Sequence, residues 1–174
     1  MDSESLRALQ APLKARYRED AGAALITLEA KGTLDDVNIV CKVETGRALV
    51  EAGLHAATGG DGIAACSGDM LLEALVACAG VTVKAVATAL GIALKGGTVA
   101  AEGDLDFRGT LGLDKSAPVG FKAIRLRFDL DTDADAEQLV SLRKLTERYC
   151  VVYQTLRTPP AIEVTQRVTG PAAQ

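Results

Sequence analysis

The stretch from Met70 to Leu94, MLLEALVACAGVTVKAVATALGIAL, constrains this chain more than any other. It is long enough to span a bilayer, but Glu73 and Lys84 interrupt it, and Ala, Thr and Gly dilute it. Charges at mid-membrane depth are costly. A helix apolar all round, inside a soluble domain, is usually buried in the core. The expectation is therefore a central helix that begins near Ser67 or Asp69, either of which can cap it, and stops at Gly91. The start of the chain, MDSESLRALQAPLKARYRED, has no apolar signal core. No membrane association is expected, and the cytoplasm is the expected compartment.

The flanking segments read as strands and a second helix. Lys14 to Lys31 reads as a hairpin turning at Glu19-Asp20-Ala21-Gly22, with Ala24, Ile26, Leu28 and Ala30 alternating against polar or opposite-face neighbours. Val37, Ile39, Cys41 and Val43 share one parity of a further strand. Gly46 to Ser67 reads as a long connection around Thr58-Gly59-Gly60-Asp61-Gly62, of the length that is often functional. Thr98 to Arg108 and Phe121 to Leu130 alternate, the latter with Ile124, Leu126, Phe128 and Leu130 on one face. Thr132-Asp133-Ala134-Asp135 resembles a capping box, and the helix after it carries Leu139, Leu142, Leu145 and Tyr149 as its stripe. Pro159-Pro160 ends a short apolar segment, and Ile162, Val164 and Val168 suggest a closing strand. Strands, long helix, strands, helix, strand is an α+β order, with antiparallel sheets packed on two helices. At 174 residues the chain is read as a single domain, with residues 1–12 as a short helix or a loose arm.

Several chemistries are disfavoured. The formal net charge is −4, and six aromatics without Trp make a poor nucleic-acid surface, so no nucleic-acid partner is expected. The Gly-rich loop lacks the Lys-Ser/Thr of a phosphate-binding loop. Cys41, Cys66, Cys78 and Cys150 form no close ligand pair, and His55 is the only His, so neither a metal nor another cofactor is expected. His55 reads as an exposed loop residue, in a chain without a nucleophile elbow. A buried free Cys behaves as a small hydrophobe, and core packing is the default for all four. Cys78 stands out for its small neighbours Ala77, Ala79 and Gly80; Cys150 stands out because it ends one helix and begins another, where backbone N–H groups lower a thiol pKa.

Two segments carry a resemblance. Asp69-Met-Leu-Leu-Glu-Ala-Leu-Val-Ala-Cys78-Ala-Gly-Val-Thr resembles the central-helix motif of the OsmC/Ohr proteins, the osmotically inducible and organic hydroperoxide resistance family. Cys150-Val-Val-Tyr-Gln-Thr155-Leu156 is similar to the family's second motif, Cys-Pro-Val-x-x-Thr-Leu, with Val151 in place of Pro. The likeness covers roughly Leu13 to Val168 and includes the cysteine separation and the Gly-rich loop.

The resemblance implies an OsmC-like fold in an intertwined homodimer with its active sites at the subunit interface. It implies a thiol peroxidase for organic hydroperoxides, with Cys78 as the peroxidatic and Cys150 as the resolving cysteine, regenerated by a dithiol. It also implies an Arg from the N-terminal hairpin beside Cys78, held by a carboxylate just ahead of that cysteine. Arg18 is the first choice, with Arg16 and Arg47 as alternatives. Asp69 fills the carboxylate position, one methylene shorter than the family's Glu, and is equally readable as a helix cap. Glu73 is the other carboxylate, about 140° around the helix from Cys78, and Lys84 is about 120° around from that cysteine. The alternative reading keeps the fold without the chemistry, as an OsmC-like dimer that binds a small apolar ligand and uses its cysteines for packing.

Overall fold

In the computed structural model the structure describes residues 2–19, 31–34, 40–44, 49–60 and 62–167. The element order is helix α1 (Ser3–Glu19), strands β1 (Lys31–Leu34), β2 (Val40–Glu44), β3 (Leu49–Gly53) and β4 (Ala65–Cys66), helix α2 (Ser67–Leu90), strand β5 (Leu94–Asp104), a single turn α3 (Phe107–Thr110), strand β6 (Ala123–Thr132), and helices α4 (Ala136–Tyr149) and α5 (Val151–Arg157). This is the α+β architecture that the hydrophobic pattern implies.

Two sheets form among the described residues. β1, β2 and β3 pair antiparallel in order, and β4 joins β3 in parallel. β5 and β6 form an antiparallel ribbon in which Val99 faces Phe128 and Ala101 faces Leu126. β6 alternates as read: Ile124, Leu126, Phe128 and Leu130 are half-buried, while Arg125, Arg127 and Asp129 face solvent. Arg125 spans the ribbon to the carboxylates of Glu102 and Asp104. Exposed pairs of this kind contribute little, so the ribbon's stability rests on its apolar face.

That face packs on α2, which also packs against α4, α5 and α1. Leu75, Ala79, Val83, Val86 and Ala87 form the buried stripe of α2, following the three-to-four spacing of a helix face. Val83, Val86, Ala87, Ile92 and Leu142 make the core cluster, with Phe128, Leu130 and Leu145 against it. Among the described residues α2 is the one helix that by length and composition could cross a membrane. Its end is set by Gly91, whose φ of +72° is the left-handed conformation that favours glycine, with its N–H and that of Ile92 closing onto Ala87 O.

The structure corrects several expectations. The segment from Lys14 to Glu19 is helical rather than the first arm of a hairpin. Leu6, Leu9, Leu13 and Tyr17 recur at helical spacing, and the Asp2 carboxylate accepts the Ser5 N–H at 2.7 Å to start the helix. α1 therefore runs well past residue 12, and the rest of the proposed hairpin, 20–30, lies outside the described residues. Val37 and Ile39 also lie outside them, and the strand is observed from Val40. The long connection contains β3, a 3-10 turn at Ala56–Thr58 and β4, because Leu49–Gly53 pairs fully with β2. Gly60 is fixed by close packing, since a Cβ there would stand 1.8 Å from Leu54 O.

Neither Ser67 nor Asp69 caps α2; Cys66 occupies the cap position without a side-chain hydrogen bond. Nor is α2 buried all round. The ribbon and helices cover one side, and Val81 on another is 73% exposed. On α4 the capping box is real, with Asp135 and Gln138 exchanging bonds of 2.8 and 3.0 Å. Its buried stripe is Leu142, Thr146 and Cys150, while Leu139 and Tyr149 are exposed. Residues 161–167 are exposed and unpaired in the single chain, so the closing strand does not form there; Val168 lies outside the described residues.

Candidate active site

α2 and the α4–α5 junction bring Cys78 and Cys150 together. Cys78 lies about three turns into α2, next to the buried Ala79. Cys150 is 1% exposed and sits between two helices, as the C-cap of α4 and the N-cap of α5. Its φ of −73° and ψ of 108° are extended, so the helix breaks at this residue. The break sets the first turn of α5 against α2, and each thiol perturbs the ionisation of the other.

The two sulfurs are electrostatically unlike. Burial pushes the Cys78 thiol up, but the Val152 N–H, the Cys150 thiol and the Val151 N–H outweigh it and hold this thiol below its ordinary range, while the Thr82 hydroxyl donates to the Cys78 carbonyl at 2.7 Å. Burial likewise pushes the Cys150 thiol up. The N–H groups of Tyr153 and Val152 oppose that, but donation to Cys78 and the charge on Cys78 leave Cys150 above the ordinary range. The pair thus supplies one sulfur inclined to be a thiolate and one held as a thiol that donates to it. Among the described residues the lowering at Cys78 comes from hydrogen bonds rather than a neighbouring cation.

The other expected residues are placed differently. Asp69 is exposed in the first turn of α2. It precedes Cys78 by nine residues, which is about 180° around the helix and roughly 13.5 Å along it. It lies with Leu72, Glu73 and Val76 beside Ala101, away from the thiol pair. The assignment of Asp69 as the carboxylate that orients a cation at Cys78 is therefore not supported by the helix geometry. Arg16 and Arg18 fall on α1 rather than at a hairpin tip; their side chains, and all of Arg47, lie outside the described residues. Lys84 donates to Leu94 O at 3.1 Å and so points to the start of β5. Cys66 is twelve residues before Cys78, roughly 18 Å along the axis, too far to pair with it.

His55 is half-buried rather than freely exposed. Its Nδ1 accepts the Ala57 N–H at 3.0 Å, and its ring stacks on Phe107 at 4.9 Å between centroids, so it caps the 3-10 turn. Among the described residues no group of three or more His, Cys, Asp or Glu could hold a metal.

What sequence did not show is the part played by the Val151 and Val152 backbones, since a backbone N–H leaves no motif of its own. The one available signal was the break itself, with Cys150 at the seam of two helical patterns. Beyond Leu75 and Tyr153 a cavity of about 640 Å³ opens over Phe121, Ile124, Leu126 and Phe128.

The comparisons with known proteins converge on one family. A family model described as OsmC-like protein matches residues 59–165. An OsmC-like protein from Mycoplasma pneumoniae has a TM-score of 0.63 at 13% identity, over 77% of this chain and 89% of that one. A protein from Legionella pneumophila, titled an organic hydroperoxide resistance protein OsmC, has a TM-score of 0.60 at 19% identity, over 77% and 91%. The organic hydroperoxide resistance protein OhrB of Bacillus subtilis has a TM-score of 0.52 at 20% identity, over 76% and 93%. At these identities the likeness is one of fold. Among curated proteins none matches this chain.

Proposed function

We propose that this chain, which belongs to the OsmC-like protein family, is a thiol-dependent reductase of organic hydroperoxides. The observation that carries the reading is the pair of neighbouring thiols brought together by α2 and the α4–α5 junction, with Cys78 lowered and Cys150 raised. Structural neighbours titled organic hydroperoxide resistance proteins support it.

The chemistry follows from the pair. The Cys78 thiolate attacks the distal peroxide oxygen; an S–O bond forms, the O–O bond breaks, and the departing alkoxide takes a proton and leaves as the alcohol. Cys78 is then a sulfenic acid. The Cys150 sulfur attacks it, an S–S bond forms, the S–O bond breaks and water leaves. An external dithiol returns both cysteines to thiols by exchange. The stronger acid attacks first and the weaker one resolves, which matches their environments. Arg18, on the helix that packs against α2, is the proposed cation near Cys78. A cytoplasmic compartment, whose reductants supply dithiols, suits the cycle.

The test is turnover of cumene hydroperoxide with a dithiol reductant. Cys78→Ser should lose it by three orders of magnitude or more, and Arg18→Ala should slow it with the fold retained. Asp69→Asn should leave it unchanged, given where Asp69 lies. A wild-type rate in Cys78→Ser would end the proposal. The apolar cavity over Ile124, Leu126 and Phe128 favours a second reading, a family member that binds a small apolar molecule without reducing it. Saturable binding of such a molecule by a protein inert to hydroperoxides would select that reading.

A further inference from the structure

A threonine inside a helix has a ready acceptor for its hydroxyl, the carbonyl one turn back. Two threonines of α2 use it: Thr82 donates to Cys78 O at 2.7 Å and Thr88 to Lys84 O at 2.9 Å. Thr146 of α4 does not. It is 2% exposed, its backbone carbonyl accepts the Cys150 N–H at 3.0 Å, and its hydroxyl has no partner among the described residues. A buried polar group left unpaired is costly, so this hydroxyl calls for a partner.

Thr146 lines a cavity of about 310 Å³. Three elements bound it: Val83 of α2, Leu126, Phe128 and Leu130 of β6, and Leu139 and Leu142 of α4. Arg127 and Arg143 complete the wall. Both side chains are 71% exposed and pair with Asp129 and Glu147, so the guanidinium heads turn to solvent while the stems line the cavity. The interior is therefore apolar around one buried hydroxyl. A buried water is held by about two to four hydrogen bonds, and this interior offers it Thr146 alone. A dry cavity of about 150 Å³ takes one benzene ring, so twice that volume suits an apolar molecule of about ten non-hydrogen atoms.

We propose that this cavity is a binding site for a compact apolar molecule carrying one hydrogen-bond acceptor, an aryl ketone being the simplest, with the Thr146 hydroxyl as the donor to that acceptor. The apolar body lies on Leu126, Phe128 and Leu142, and donation to the ligand takes the place of the bond that Thr146 does not make to Leu142 O. The site is independent of the chemistry at Cys78, because Val83 is five residues beyond that cysteine and about 140° around α2 from it. It shares Leu126, Phe128 and Arg143 with the larger cavity beyond Tyr153, but Val83, Leu142 and Thr146 belong to it alone.

The experiment compares 1-tetralone with tetralin, the same two rings without the carbonyl, by methyl NMR on the full-length chain. In the wild type 1-tetralone should shift the Val83 and Leu142 methyl resonances saturably. Thr146→Val keeps the shape of the side chain and removes the donor. It should weaken 1-tetralone about fivefold and should not weaken tetralin. Leu139→Trp, at the partly exposed mouth, should abolish the binding of both.

Equal affinity of 1-tetralone for the wild type and a folded Thr146→Val would overturn the inference. Shifts confined to Ile124 and Leu156, which line only the larger cavity, would do the same. So would the lack of any saturable shift up to the solubility limit, the result expected if a second copy of the chain covers the site. Should circular dichroism show Thr146→Val unfolded, wild-type binding of 1-tetralone by a folded Leu139→Trp would overturn it instead. Hydroperoxide turnover enters none of these outcomes, so failure of the proposed activity and failure of this inference are read apart.

Discussion

Cys78 and Cys150 differ in what surrounds them more than in how far they are buried. Cys78 is favoured as a thiolate by two backbone N–H groups and the Cys150 thiol, whereas Cys150 gives its proton to Cys78 and is opposed by the charge there. The signs are therefore opposite: the Cys78 thiolate persists as the pH falls below the ordinary thiol range, and Cys150 keeps its proton above it. Peptide-resolved alkylation across pH should show Cys78 titrating first and Cys150 last. Mutating Cys78 to Ser should bring Cys150 down, since the charge beside it is gone. Co-titration of the two at the ordinary thiol midpoint would contradict this. Both cysteines were legible from the sequence because their separation matches a family pattern. The donors were not, because a backbone N–H has no letter in a sequence. Asp69 shows what spacing alone omits: nine residues ahead of Cys78 is about 180° around the helix.

At the scale of elements, regular hydrophobic periods gave the clearest reading. α2 ends at Gly91 as expected, and β6 keeps its alternation from Ile124 to Leu130. The capping box at Asp135 also reads directly, and its value is measurable. Asp135→Ala should cost about 1 kcal/mol in urea unfolding, with an unchanged slope. A loss below a few tenths would mean that α4 is held by packing alone. What was not legible was α1, where a few strand-like residues after Gly22 were extended backwards over Lys14–Glu19. The later half of the α4 stripe was misread by one residue, because Thr146 and Cys150 were passed over in favour of the larger Leu145 and Tyr149. Thr146 is 2% exposed, and its hydroxyl has no hydrogen-bond partner among the described residues. A polar residue in a buried stripe is what hydropathy reads least well.

The whole molecule leaves apolar surface uncovered in a single chain. Val81 on α2, Val140 and Tyr149 on α4 and Val151 on α5 are all more than half exposed. Ile162 and Val164 in the tail are 83% and 88% exposed. Such surface marks an interaction site, and the family implies a homodimer, which is the proposed state of this protein. Sedimentation at micromolar concentration should give a dimer, and Val81→Glu should shift it towards monomer. A stable wild-type monomer would contradict the proposal. The central claim, that Cys78 is the sulfur that meets the peroxide, is tested most directly by trapping. Cys150→Ser, which cannot resolve the intermediate, is given one equivalent of cumene hydroperoxide with dimedone, and the modified peptide is identified by mass spectrometry. The account predicts one dimedone adduct per chain, on Cys78; an adduct on Cys66 instead, or none with the peroxide unconsumed, would contradict it.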